Sequence, residues 1–195
     1  MSEEKRYPRA EALAVAKELY DILTPFCSRC KVVGSLRRYK STVKDIELLF
    51  IPKMAPDPSS LMGALFGTGQ AEMIDLADLT INRLVKDGVL RRRETMDRAL
   101  SWGPLNKFAV HVASGIPVDL FASTEENWWN SVVCRTGSAN SNKRLAAAAL
   151  AKGWTFEAYG SGFRKLGSRE HYQTKSEQDV FRFAGLQYVA PQYRS

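Results

Sequence analysis

The run Val43-Lys44-Asp45-Ile46-Glu47-Leu48-Leu49-Phe50-Ile51 places two acids inside an otherwise apolar stretch, and an alternating strand accommodates both facts. Side chains at i and i+2 of a strand leave on the same side. Asp45 and Glu47 therefore share one face, while Ile46, Leu48 and Phe50 bury the other. Two carboxylates held side by side repel each other. A hard divalent cation with oxygen ligands, Mg²⁺ or Mn²⁺, removes that repulsion and brings chemistry with it.

Upstream, a first strand over Lys31–Val33 runs into Gly34-Ser35. A residue without Cβ lets the backbone approach an anion and offer its N–H groups. Ser35 adds a hydroxyl, and Arg37 and Arg38 add forked, permanently charged donors suited to a polyphosphate. Downstream, residues 106–113 and 116–121 read as two strands hinged at Ser114-Gly115, with Ile116, Val118 and Leu120 on one face and Asp119 on the other. If this hairpin lies beside the first carboxylate strand, Asp119 completes a three-carboxylate cage for two metals about 4 Å apart, the spacing used for in-line displacement at phosphorus.

These residues resemble the DNA polymerase X family within the nucleotidyltransferase superfamily: Gly34-Ser35-Leu36-Arg37-Arg38, Asp45-Ile46-Glu47 and Val118-Asp119-Leu120-Phe121 are similar to its palm. The order and spacing of Thr136-Gly137-Ser138-Ala139-Asn140-Ser141-Asn142-Lys143, Ala149-Leu150-Ala151-Lys152-Gly153-Trp154 and Ser176-Glu177-Gln178-Asp179-Val180-Phe181 are similar to its thumb. The resemblance spans about residues 7–195. It implies an α+β chain, with a nucleotidyltransferase palm over residues 1–124 (a mixed β-sheet with flanking helices) and a small α/β thumb lobe over residues 125–195. It further implies transfer of a nucleoside monophosphate from a dNTP to a DNA 3′-hydroxyl with release of pyrophosphate, in gap filling or repair, and a monomer. Two Mg²⁺ ions, with Mn²⁺ as substitute, would sit on Asp45, Glu47 and Asp119, which are the implied catalytic residues. Gly34, Ser35 and Arg38 would bind the triphosphate, and Gly137, Asn142 and Lys143 would approach sugar and base. The leading helix starts near residue 8, which implies a minimal palm-and-thumb form without the family's lyase and helix-hairpin-helix segments.

Departures from the family pattern bear on function. Glu47 stands where an aspartate is usual, and Pro117 replaces an arginine two residues before the third acid. Cys134-Arg135 replaces an aromatic pair, while Ala139 and Ala146 stand where groups contact the incoming base and the template. Two rival readings are a template-independent, RNA-directed or small-molecule nucleotidyltransferase, and a catalytically idle DNA-binding module.

The chain has 195 residues, 45% of them hydrophobic and 25% charged, and a net charge of +7, a balance that favours polyanions. No stretch approaches the roughly 20 apolar residues of a membrane span, and the amino terminus lacks the apolar core of a signal peptide, so an intracellular or cytoplasmic protein is expected. The three cysteines fit a reducing compartment. Cys27 and Cys30 have C-x-x-C spacing without a second pair, which favours reduced thiols at a helix end over zinc. His111 reads as a satisfied strand histidine.

The periodicity predicts a helix over 8–26, with Ala12, Val15, Ala16, Leu19, Ile22, Leu23 and Phe26 inward, a loop over 52–69 with a short helix at 61–66, and a helix over 75–87 stopped at Gly88. Gly67-Thr68-Gly69 reads as a turn. Residues 89–94 read as a strand carrying Arg91-Arg92-Arg93. A second lobe begins near Glu125, with Trp128 and Trp129 as core or lobe-joining aromatics. An alanine-rich helix over 138–152 closes at Gly153, short strands follow over 155–166, and Ser176 with Asp179 caps a last helix ending at Gly185.

Overall fold

The computed structural model describes residues 5–60, 66–67, 71–94 and 101–194. Helix α1 (Arg9–Leu23) buries Ala12, Val15, Ala16, Leu19 and Leu23, the face its periodicity predicts. It ends in a 3-10 turn, Thr24–Phe26, where Pro25 cannot donate the next helical hydrogen bond, and this turn leaves Phe26 exposed.

The central sheet has five strands in the order β2-β4-β9-β8-β7: β2 (Cys27–Val32), β4 (Ile46–Pro52), β9 (Pro117–Ala122), β8 (Asn106–His111) and β7 (Leu90–Arg92). Only β4 and β9 run parallel. Short β1 (Tyr7–Pro8) pairs with β3 (Thr42–Val43) in a separate ribbon. Asp45 was expected inside the carboxylate strand and instead lies in the link between β3 and β4, because β3 belongs to this ribbon and the chain must turn at Lys44-Asp45 to enter the main sheet.

The sheet is buried on both sides. Ile46, Leu48 and Phe50 join Leu19, Leu23, Val118 and Leu120 in one core against α1 and α3 (Leu76–Lys86). Leu49, Ile51 and Phe121 form a second core on the opposite face with Trp128 and Val132 of α4 (Trp128–Thr136). Asp75 caps α3 by accepting from the Asp78 N–H at 2.7 Å. The Ser114-Gly115 hinge is as predicted, with Gly115 at φ +70°.

A further pairing was not foreseen. Met54–Pro56 (β5) pairs with Met73–Asp75 (β6), within and beyond a stretch read as loop, where proline and methionine obscure the strand pattern. The helix expected over 61–66 and the Gly67-Thr68-Gly69 turn fall, apart from Phe66 and Gly67, outside the described residues.

The C-terminal lobe contains α5 (Ala139–Ala151), the antiparallel sheet of β10 (Trp154–Phe156), β11 (Gly162–Lys165) and β12 (His171–Gln173), and α6 (Glu177–Phe183). Its core unites Val133, Leu145, Ala149, Phe163, Val180 and Phe181. Ser138 caps α5 through the Ser141 N–H, and Ser176 caps α6 through the Asp179 N–H. Trp129 packs against both the lobe core and the sheet core and joins them, whereas Trp128 belongs to the sheet core.

Candidate active site

One row across the sheet builds the site. Parallel pairing sets Glu47 of β4 opposite Asp119 of β9, and antiparallel pairing sets Asp119 opposite Phe108 of β8. At its outer end, the Arg93 N–H donates to the Phe108 carbonyl at 2.9 Å; at its inner end, the Val33 N–H donates to the Glu47 carbonyl at 2.9 Å. Residues on one row share a face, so Arg93, Asp119 and Glu47 point to the same side.

Asp119 receives Arg93 Nη2 at 2.5 Å. Its carboxyl is nevertheless pushed up to about 6, mainly by burial, with Arg93 opposing and Asp45 adding to the rise. Glu47 is pushed up to about 8 by burial, then by the charges of Asp45 and Asp119, against the pull of Arg135 and Arg38. Both shifts report acids crowded together in a partly dry place. Among the described residues, no three metal-ligating side chains already converge on one point. Glu47 lies against Gly34, and Asp119 lies on Arg93.

The turn after β2 is the single helical turn α2 (Gly34–Arg37), entered by Gly34 at φ +66°. A Cβ on Gly34 would lie 1.6 Å from Glu47 Oε2, so glycine is required both by the backbone and by the approach of the carboxylate. Among the described residues, Ser35 Oγ is buried without a hydrogen-bond partner, as is Arg38 Nε. Ser35, Arg38, Asp45 and Glu47 line a cleft of about 220 Å³ together with Arg6 and Lys44. An orphaned hydroxyl, three cations and two acids in one cleft make a donor set suited to a metal-bound polyphosphate.

Of the residues expected from the second lobe, Gly137 reaches this site. Arg38 Nη1 donates to the backbone carbonyls of Thr136 (2.7 Å) and Gly137 (3.3 Å). Asn142 sits on Gly137, where a Cβ would lie 2.4 Å from Asn142 Oδ1, and its amide donates to the Cys134 carbonyl at 2.8 Å. Lys143 is exposed on the first turns of α5. Arg37 is turned away from the cleft: it donates to Thr136 Oγ1 at 2.6 Å and forms a forked pair with Glu177, whose carboxyl it holds below the usual range against the opposing effect of burial.

Sequence reasoning missed Arg6, Lys44, Arg93 and Arg135. Arg6 is far from the motif in sequence and is brought back by the β1–β3 ribbon, whereas Lys44 lies inside the motif, next to Asp45. Arg93 was legible in principle, since the register that pairs Phe108 with Asp119 also places the end of the arginine run on that row. Arg135 stacks on Phe121 at 3.5 Å and donates to Tyr159 Oη at 2.5 Å, a position that requires the contact between the lobes.

The remaining sequence candidates are structural. His111 is buried, with Nδ1 2.8 Å from Ser114 Oγ. Cys27 and Cys30 are free thiols: Cys27 closes the 3-10 turn at the end of α1, as expected of a helix end, and both lie on β2. A bulge between Cys27 and Arg29 turns both toward the same core, and the hydrogen bond with Cys30, then burial, raises the Cys27 thiol. No helix among the described residues is long and apolar enough to cross a membrane.

Residues 131–195 match the family model of the DNA polymerase beta thumb, which supports a relationship to DNA polymerase beta and its X family. Among curated proteins, none matches the chain.

Proposed function

We propose that this chain is a metal-dependent nucleotidyltransferase that extends a DNA 3′-hydroxyl from dNTPs and releases pyrophosphate, with residues 1–124 as palm and 125–195 as thumb. The observation that carries this reading is the row on which Glu47 and Asp119 stand side by side, both carboxyls raised by burial and crowding, at the edge of a cleft holding Ser35 and Arg38. The thumb match adjoining that cleft favours DNA as the acceptor.

Asp45, Glu47 and Asp119 would hold Mg²⁺, or Mn²⁺ in its place, because crowded acids that raise one another's pKa gain most from a shared cation. When bound, the ions supply an acidified 3′-hydroxyl and neutralisation of phosphate charge. Ser35 Oγ and Arg38 bind the outer phosphates, with Arg6 and Lys44 on the same cleft wall. Arg93, just past β7 and across β8 from Asp119, orients Asp119 and draws its pKa down against burial, a cation for the third acid that Pro117 does not supply. Gly137 and Asn142 bring the thumb to the nucleotide side of Arg38.

The test is incorporation of labelled dNTPs and NTPs on gapped, recessed and single-stranded DNA, with Mg²⁺, Mn²⁺ or chelator. Metal-dependent extension directed by the template and coupled to pyrophosphate release is the expected result. Extension without a template would assign a terminal transferase. DNA binding with no nucleotidyl transfer under any of these conditions would overturn the proposal.

A further inference from the structure

The C-terminal lobe has a cavity of its own, about 180 Å³, away from the carboxylates. Ser141 and Arg144 of α5 line one wall, Phe181 of α6 lines another, and Gln187, Tyr193 and Arg194 of the C-terminal segment close it. Arg194 is 1% exposed, an unusual state for a group that stays charged. Its Nε donates to the Val189 carbonyl at 2.8 Å, its Nη2 lies 2.8 Å from Glu177 Oε2, and its plane faces the rings of Phe181 and Tyr188 at 4.9 and 5.4 Å. Nη1 is buried and has no hydrogen-bond partner among the described residues.

Among the described residues, the cations in the ion-pair cluster around this guanidinium outnumber the anions. Glu177 already answers Arg37 through a forked pair, so one carboxylate serves two guanidinium groups, and exposed Arg144 adds a third cation on the cavity wall. A buried donor left without an acceptor is costly, and an oxyanion in the cavity would satisfy it. Tyr193 and Gln187, which line the cavity with Arg194, are exposed. Two guanidinium groups from different elements, with a serine hydroxyl and an amide between them, suit a doubly charged phosphoryl group better than a carboxylate.

We propose that this cavity is a second phosphate site, which takes a phosphate monoester borne either by a free mononucleotide or by the phosphorylated end of a DNA strand. It is separate from the cleft at Ser35 and Arg38 and does not depend on the polymerase reading.

The full chain carrying Arg38→Ala, which weakens phosphate binding at the other cleft, is titrated with inorganic phosphate and followed by amide and guanidinium NMR signals. Saturable shifts at Ser141, Gln187 and Arg194 are expected, with Arg144→Gln weakening the apparent affinity roughly tenfold while the melting temperature stays unchanged. Parallel titrations with dAMP against deoxyadenosine, and with a 5′-phosphorylated against a 5′-hydroxyl oligonucleotide, identify the source: the pair in which only the phosphorylated member shifts these signals is the ligand. Shifts that fail to saturate, that are unaffected by Arg144→Gln, or that are equal with and without the terminal phosphate would overturn the proposal. Retained nucleotide incorporation would not rescue it, and lost incorporation would not count against it.

Discussion

On the carboxylate row Asp119 is paired with Arg93, while Glu47 lies against Gly34. Asp45, Glu47 and Asp119 would all be metal ligands, so Asp45→Asn, Glu47→Gln and Asp119→Asn should each lower incorporation by about a thousandfold or more, with circular dichroism unchanged. Near-normal turnover in any one of them would remove that residue from the metal site. Arg93 acts on Asp119 without belonging to the cleft. It holds the Asp119 carboxyl below where burial alone would put it, so Arg93→Ala should raise that pKa beyond about 6. The acid limb of the pH–rate profile should move to higher pH in this variant, and activity should recover toward the wild-type value above pH 8. A uniform loss at every pH would mean that Arg93 contacts substrate instead. Gly34 is constrained from two directions, by φ +66° and by Glu47 Oε2 standing 1.6 Å from where a Cβ would be. Gly34→Ala should therefore abolish activity and destabilise the fold by about 1–3 kcal/mol, readable by denaturant titration.

At the scale of elements, α2 is tied to the C-terminal lobe by adjacent arginines with different tasks. Arg38 reaches the carbonyls that end α4, while Arg37 pairs with Glu177 at the start of α6, and Arg194 closes on the other side of the same carboxylate. Glu177 is 5% exposed, so Glu177→Ala leaves two guanidinium groups in a dry place without their anion. It should destabilise the protein by about 3–5 kcal/mol and, near the turn that carries Ser35, raise KM for nucleotide more than it lowers kcat. An unchanged melting temperature would show that water replaces the carboxylate. Much of this frame was legible in the chain. The apolar alternation around Glu47 and Asp119 forced two strands, and serine caps with glycine stops marked α5 and α6. The start of β4 was misread because Val43 belongs to a ribbon with Tyr7, and apolar periodicity does not say which sheet a residue joins. β12 carries His171 and Gln173 on its exposed side and offers little pattern to detect. Arg6 and Arg135 reach the cleft or the carboxylates only through long-range pairing and lobe contact, which local spacing does not encode.

For the whole molecule, crowded carboxylates couple function to stability. Glu47 rises from the ordinary glutamate range to about 8 and Asp119 to about 6 in the folded protein, so between pH 4.5 and 8 the folded state binds more protons than the unfolded chain. Stability must then fall as pH rises through that window, the reverse of an acid held down by a cationic partner. Glu177, whose carboxyl is lowered by Arg37 and Arg194 against burial, contributes in the opposite sense, but that change is complete below the ordinary glutamate range and leaves the slope above pH 5 to Glu47 and Asp119. In chelator, the melting temperature of the wild-type chain should therefore decline from pH 5.5 to pH 8, and Glu47→Gln should flatten most of the decline because it removes the group with the larger shift. Mg²⁺ or Mn²⁺ binds the ionised acids, so the metal should restore stability at pH 8 while doing little at pH 5.5, and it should release protons as it binds. A melting temperature insensitive to metal at pH 8, alongside a pH slope that survives Glu47→Gln, would remove the carboxylate row as the origin of both effects and leave the proposed metal site without support.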